Sequence, residues 1–305
     1  MKYPSYLNLS GKELESRIEQ ANQLLESCRV CPRKCGVNRL KNERGFCYLG
    51  KKAAVFSFNP DFGEEKCLTG KYGSGAINFN FCNLSCVFCR TYDISQLQRG
   101  KKTPGKEISS KELAGMMLKL QKQGCHNISL INPTSQGPQI LAALPIAIKQ
   151  GLVIPFVYNT NAYDSVETLE LLDGIIDIYL PDCKYSDDDL AKKYSQASNY
   201  FQIAKKAIKE MHRQTGDLEF DAQGLAKKGL LVRHLILPNN IAGSAKVLKF
   251  LAEKISPDTF VNIMNQYNPC WRAKDFSELD RQITIEEYEE VVDLAKGYGL
   301  NWFIE

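Results

Sequence analysis

Residues 75–89 read GAINFNFCNLSCVFC, an apolar run that ends in three cysteines spaced Cys82-x3-Cys86-x2-Cys89. The β-branched and aromatic residues of GAINFNF (75–81) predict a strand, the first of a series, with the thiols on the loop at its carboxyl end. A disulfide would use two of the three thiols and strand the third. A structural zinc site takes four protein ligands, and no fourth stands nearby. A cubane [4Fe–4S] cluster takes one thiolate per iron, so three cysteines leave one iron open to a ligand that can react.

Working outward from this strand, short apolar runs alternate with helical patterns. SSKELAGMMLKLQKQG predicts a helix with a capping box at Ser109 and Glu112 and an end at Gly124. NISLIN (127–132) is the second strand, followed by a helix in PQILAALPIAIKQG. IPFVYN (154–159) and IIDIYL (175–180) are strands joined by a short helix near 166–173, and a longer helix runs from Tyr200 to about Gln214. GLLVRHLIL (229–237) and TFVNIMNQ (259–266) are strands five and six around the helix SAKVLKFLAEKI. A last helix begins at cap residue Thr284 and reaches Gly297, and NWFIE adds a final strand. Six strands alternating with helices imply βαβ crossovers and a parallel sheet, either open and doubly wound or curled into a full or partial barrel. In each case the chemistry belongs at the carboxyl ends of the strands, where the three-cysteine loop begins.

The chain has 305 residues, 44% hydrophobic and 24% charged, enough for a sizeable core. A net charge of +4 is too small to indicate nucleic acid. The start, MKYPSYLNLSGKELES, carries no apolar stretch of signal-peptide length, and no window approaches the roughly 18 apolar residues of a membrane span. These features predict a cytoplasmic protein without membrane contact. In that reducing compartment the clustered members of its eleven cysteines point to metal or redox chemistry, not disulfides. Cys67, Cys125, Cys183 and Cys270 are scattered and read as buried apolar side chains.

CxxxCxxC with an aromatic, Phe88, before the third cysteine resembles the signature of the radical S-adenosylmethionine (SAM) superfamily. The likeness extends through NPTSQGPQILAALPIAI, PFVYNTNAYD, LLDGIIDIYLPDCKY, AIKEMHRQTGDL, GLLVRHLILPNN and VNIMNQY to a branch related to pyruvate formate-lyase activating enzymes. The resemblance implies an α/β fold, a partial (β/α)6 TIM-like barrel over 71–305, after a small cysteine-rich N-terminal extension over 1–70. It implies a [4Fe–4S] cluster on Cys82, Cys86 and Cys89, with the open iron bound by the methionine end of SAM. Reductive cleavage of SAM would then give a 5′-deoxyadenosyl radical that takes a hydrogen atom from a substrate, which in the activating enzymes is a glycine of a partner protein. A flavodoxin- or ferredoxin-like electron donor is implied as partner.

By the same resemblance Phe88 packs on the adenine. Asn159, Thr160 and Asn161 of YNTNA resemble a DTNG segment, and Asp182 and Lys184 of LPDCK a DLK segment. Polar groups at the end of an apolar strand need a ligand or a partner to offset desolvation. Arg233 and His234 alternate along one strand, so one of them faces inward; Arg233 suits a carboxylate. NPTSQGP stands where relatives commonly carry a GGE-type motif for the SAM amino group, and Asn159 where they carry aspartate.

Upstream, CRVCPRKCGVNRLKNERGFC gives Cys28-x2-Cys31-x3-Cys35-x11-Cys47, a four-cysteine knuckle able to surround one metal without a large core. Structural zinc, an auxiliary iron–sulfur cluster and unliganded thiols all remain open, since both metals accept four sulfurs. The enzyme reading competes with another class, a non-catalytic metal-binding module whose knuckle recognises nucleic acid or protein.

Overall fold

Strands buried on both faces pair in parallel only when helices cover them, and the central strands here are of that kind. The computed structural model describes residues 2–96 and 105–303. Along the chain the elements are α1 (Gly11–Glu26), β1 (Ala53–Asp61), α2 (Lys66–Thr69), β2 (Ser74–Phe79), α3 (Tyr92–Ser95), β3 (Lys106–Ile108), α4 (Ser110–Lys122), β4 (Ile128–Ile131), α5 (Gly137–Lys149) and β5 (Phe156–Thr160). There follow α6 (Val166–Glu170), β6 (Ile178–Pro181), α7 (Asp188–Ser195), α8 (Tyr200–Thr215), β7 (Glu219–Phe220), β8 (Ala226–Leu235), α9 (Ser244–Lys254), β9 (Phe260–Met264), α10 (Ile285–Gly297) and β10 (Asn301–Phe303).

The sheet order is β10-β9-β8-β6-β5-β4-β2-β1-β3, with β7 paired to β8 at the side. The strands from β2 to β10 in this path are mutually parallel, whereas β1 pairs antiparallel with both β2 and β3. This is the α/β partial barrel expected from the sequence, with helices between successive parallel strands. Every residue of β5 and β6 is buried, and Leu113, Met117, Ile140, Leu144, Ala204 and Leu248 bring the covering helices into the same core. No helix among the described residues is long and apolar enough to cross a membrane.

GAINFNF is not the first strand of the sheet. AAVFSFNPD forms β1 ahead of it and extends the sheet by an antiparallel edge. The helix α1 also precedes it, capped by the Ser10 side chain and burying Leu14, Ala21, Leu24 and Leu25, in contact with α5. The last strand covers Asn301–Phe303; the rest of NWFIE lies outside the described residues.

Register decides what meets at the carboxyl ends. Asn78, Ile131, Asn159 and Leu180 stand abreast on β2, β4, β5 and β6. One step on, Asp182 bridges to Arg233, which pairs with Asn262 of β9.

The capping box of α4 is complete: Ser109 Oγ accepts from Glu112 N–H, and the Glu112 carboxylate accepts from Ser109 N–H. Replacing Ser109 by Ala is expected to lower stability by about 1 kcal/mol, read as a reduced urea midpoint with unchanged slope. A midpoint equal to the parent's would show that the box contributes nothing there.

Candidate functional site

The loop after β2 is held in place before any ligand is considered. Ser85 N–H donates to Ser195 O and Val87 N–H to Tyr194 O, so the end of α7 grips the segment around Cys86. Cys89 N–H donates to Cys86 O. Cys86 is buried, and Cys82 and Cys89 are half-buried at the wall of one cavity of about 580 Å³. That volume is in the range of small-molecule and cofactor sites.

Each sulfur has polar company. Cys82 Sγ accepts from Leu84 N–H, Asn132 Nδ2 and Asn161 Nδ2, each at 3.3 Å. Ser195 Oγ donates to Cys86 Sγ at 3.0 Å, and Ser95 Oγ lies 3.0 Å from Cys89 Sγ. Burial, with the neighbouring sulfur Cys86 added, pushes the free Cys82 thiol up to about 12. Burial likewise pushes Cys86 up to about 11, against the opposing pull of Lys184. The chain alone therefore keeps Cys82 and Cys86 as thiols while aiming N–H and O–H donors at them. That donor set suits metal-bound thiolates.

The residues expected from the resemblance to contact SAM line the same cavity: Phe88, Asn159, Thr160, Asn161, Asp182, Lys184 and Arg233. Phe88 packs between Tyr185 and Tyr267, with ring centroids 6.3 and 5.9 Å away. Asn161 spans from Cys82 to Asn83, donating to its Oδ1 at 2.8 Å. Thr160 Oγ is shared with Thr134 and donates to Asp164. Lys184 Nζ pairs with Asp182 Oδ2 at 2.6 Å. Burial would lower the lysine's pKa, but Asp182 and the Cys86 and Cys89 sulfurs outweigh it and raise it.

Arg233 faces the cavity, but its charge meets carboxylates belonging to the chain. Its Nε and Nη2 make a two-pronged contact with Glu65 at 2.7 Å each, and Nη2 also contacts Glu64. Burial drives the Glu64 carboxyl up, while Arg233 and Asn262 overcome burial at Glu65 and hold it down. Two acids share one guanidinium. His234 lies on the opposite face, fully buried between Cys183 O and Ser244 Oγ. Burial pushes its imidazole down to about 4, so it stays neutral.

Sequence reading missed Glu64, which lines the cavity, and Glu65. Their signal was the acidic pair in FGEEKC just before α2, a pair whose neighbours gave no hint that it would be buried. It also missed Asn132. In NPTSQGP, Asn132 donates to Cys82 and Thr134 hydrogen-bonds Asn132 and Thr160, while Gln136 ties to Ala54 of β1 and to Asn80 O.

Cys28, Cys31, Cys35 and Cys47 come together elsewhere, around a small enclosed cavity of about 10 Å³ that Arg33, Arg39, Gly45 and Ser135 also line. Burial pushes the Cys31 thiol up, and the sulfurs of Cys47, Cys28 and Cys35 add to the effect. Among the described residues no three His, Cys, Asp or Glu side chains converge closely enough to grip a single ion as they stand.

A family model described as the radical SAM superfamily matches residues 77–220. The uncharacterized protein MJ0674 of Methanocaldococcus jannaschii is 32% identical over 293 residues, covering 94% of this chain and 80% of that protein. The chain belongs to the radical SAM superfamily. Two solved structures share the radical SAM fold with it. A radical SAM methyltransferase from Sphaerobacter thermophilus has a TM-score of 0.53 at 12% identity, covering 76% of this chain and 66% of the methyltransferase. SuiB of Streptococcus suis bound to S-adenosylmethionine has a TM-score of 0.50 at 14% identity, covering 75% of this chain and 51% of SuiB. The chain thus spans just under two thirds of the first and about half of the second. Membership implies a [4Fe–4S] cluster and SAM as cofactors.

Beneath the cavity floor, Asp164 accepts hydrogen bonds from Thr160 and Tyr158. Burial pushes its carboxyl up to about 6 in spite of these donors. An acid whose folded value exceeds its unfolded one (about 4) weakens the fold as it ionises. Stability should fall by up to roughly 3 kcal/mol between about pH 4 and pH 6 on this account, and be level above it. Asp164→Asn is expected to flatten that portion of a urea-stability profile taken across pH, and an unaltered slope would show that another group is responsible.

Proposed function

We propose that this radical SAM enzyme holds its [4Fe–4S] cluster on Cys82, Cys86 and Cys89 and binds SAM in the 580 Å³ cavity beside them. One observation carries the reading: three thiols with aimed donors and the polar ends of β5, β6 and β8 line the same cavity. Bound there, the cluster would supply a low-potential electron that cleaves SAM reductively and starts hydrogen abstraction from the substrate.

The chain's own residues have the remaining work. Leu84 N–H, Asn132 and Asn161 orient Cys82, and Ser195 orients Cys86. Lys184 and Asp182, paired with each other, offer a cation and an anion to the carboxylate and amino group of a methionine moiety. Glu64 stands in the cavity with Asn159 Nδ2 on its carboxylate, and supplies the acid that NPTSQGP lacks relative to a GGE-type motif. Phe88 fixes the apolar wall on the adenine side, and Arg233 holds Glu64 and Glu65 in place.

The match of sequence segments to activating enzymes supports a hydrogen on a protein glycine as the target, with a flavodoxin- or ferredoxin-like protein as electron source.

The test is anaerobic reconstitution with iron and sulfide, then reduction in the presence of SAM. Wild type is expected to release 5′-deoxyadenosine, and Ala at Cys82, Cys86 or Cys89 to reduce release to background. Turnover at the parental rate in the triple variant would falsify the assignment. Asp182→Asn is expected to weaken SAM binding about tenfold or more, since a buried pair loses one partner, with iron content unchanged. Equal SAM affinity in that variant would remove Asp182 from the cofactor site.

A further inference from the structure

We propose that Cys28, Cys31, Cys35 and Cys47 hold a second metal centre as four thiolates, with the buried guanidinium of Arg39 and that of Arg33 balancing its negative charge. Four thiols lose four protons to the medium when such a centre forms, and a tetrathiolate centre of either zinc or a [4Fe–4S] type carries excess negative charge. The shared chemistry is sulfur ligation, and the metal distinguishes its two sources.

The strongest support is Arg39. Its side chain is 1% exposed, an unusual place for a fixed cation. Its Nε and Nη1 donate only to carbonyls, those of Gly50 and Ser135, and neither supplies a countercharge. Among the described residues its Nη2 has no hydrogen-bond partner, and the residue lines the four-thiol cavity. A buried cation with an unused donor beside four sulfurs calls for an anion there. Ser135 Oγ, 5% exposed for its residue, also lacks a partner of ordinary geometry and lies against the Cys47 thiol.

Backbone donors repeat the pattern. Phe46 N–H points to Cys35 Sγ at 3.5 Å, and the N–H groups of Arg33 and Leu49 reach the thiols of Cys31 and Cys47. The N–H two residues after a cysteine serves its sulfur at Cys31 and Cys47, as Leu84 N–H does at Cys82. Gly45 fits the same purpose, because a methyl there would stand 2.8 Å from Cys35 Sγ.

The centre adjoins the larger cavity. Arg33 lies 3.8 Å over the Phe46 ring and donates from Nε to Asn83 O, the residue after Cys82. Asn132 lines the larger cavity and Ser135 the smaller. Three residues reach at most about 11 Å.

The test uses the full chain, purified anaerobically and supplied with ferrous iron plus sulfide, or with Zn2+, then desalted and counted for iron, sulfide and zinc. The variant with Ala at Cys82, Cys86 and Cys89 is decisive because it leaves the N-terminal cysteines intact. It is expected to retain about four irons or about one zinc. Iron with sulfide assigns a cluster, zinc assigns a single ion, and either supports the proposal. A variant that retains neither, beside a wild type with about four irons, overturns it and leaves the reading of the larger cavity standing. A variant whose metal content equals the wild type's would do the reverse, keeping the second centre and removing the reading of the larger cavity. Should Ser at all four N-terminal cysteines prevent folding, Arg39→Gln serves instead. It is expected to release the second metal to a chelator about tenfold faster or more. An unchanged release rate would overturn the charge balance.

Discussion

One sulfur atom gathers donors from three separated parts of the chain. Cys82 Sγ receives an N–H from its own loop, from Asn132 after β4 and from Asn161 after β5. A neutral thiol is a weak acceptor and repays such an arrangement poorly; a thiolate on a metal repays it well. The free thiol is driven up to about 12, so the donors are oriented for a charge the folded chain does not develop by itself. The parallel register makes the convergence possible. Pairing Ile131 with Asn159 sets the ends of β4 and β5 side by side, and the loops leaving them deliver both asparagines to the same atom.

Charge in the larger cavity is arranged in closed pairs. Arg233 is met by Glu65 and shared with Glu64, and Lys184 is met by Asp182. Paired ions avoid the penalty of isolated buried charge while leaving both signs within reach of an incoming zwitterion. A ligand that carries an amino group and a carboxylate can exchange partners with such pairs. A ligand of one charge alone would leave one member unmatched. The cavity is thus better matched to an amino acid moiety than to a simple anion, although Arg233 in isolation suggests the opposite.

The parallel core was legible because its strands have runs that are apolar on both faces and its helices carry complete signals. Ser109 with Glu112 forms the capping box its spacing predicts, and Thr284 caps α10 as expected, with Glu287 completing a second box. The strand-end residues were legible for a related reason: polar groups at the end of an apolar run have nowhere cheap to go. The first seventy residues were harder. In β1 the pattern Ala53–Asp61 is buried only at its first three residues and mixed thereafter, so neither period dominates. Glu64 and Glu65 carry no local signal of burial, and the charge they meet belongs to Arg233, which lies more than 160 residues away in sequence. No local pattern encodes that pairing. Similarly, Arg39 reads as one of several basic residues among the N-terminal cysteines, and only the fold places its side chain in the interior.

The segment NPTSQGP shows how a departure from a family pattern can be filled by structure. Gln136 satisfies Ala54 of β1 much as a neighbouring strand would, through both its amide oxygen and its amide nitrogen, and also reaches Asn80 O. Ser135 lends its carbonyl to Arg39, Thr134 braces Thr160, and Asn132 turns to Cys82. Four of the five residues from 132 to 136 therefore commit polar groups to scaffolding, and none of them is an acid that could serve an ammonium group. The acid for that purpose has to come from another element, and the chain between β1 and β2 brings Glu64 to the cavity wall. NPTSQGP itself reaches both thiol clusters, through Asn132 at Cys82 and through Ser135 at the cavity of the N-terminal cysteines.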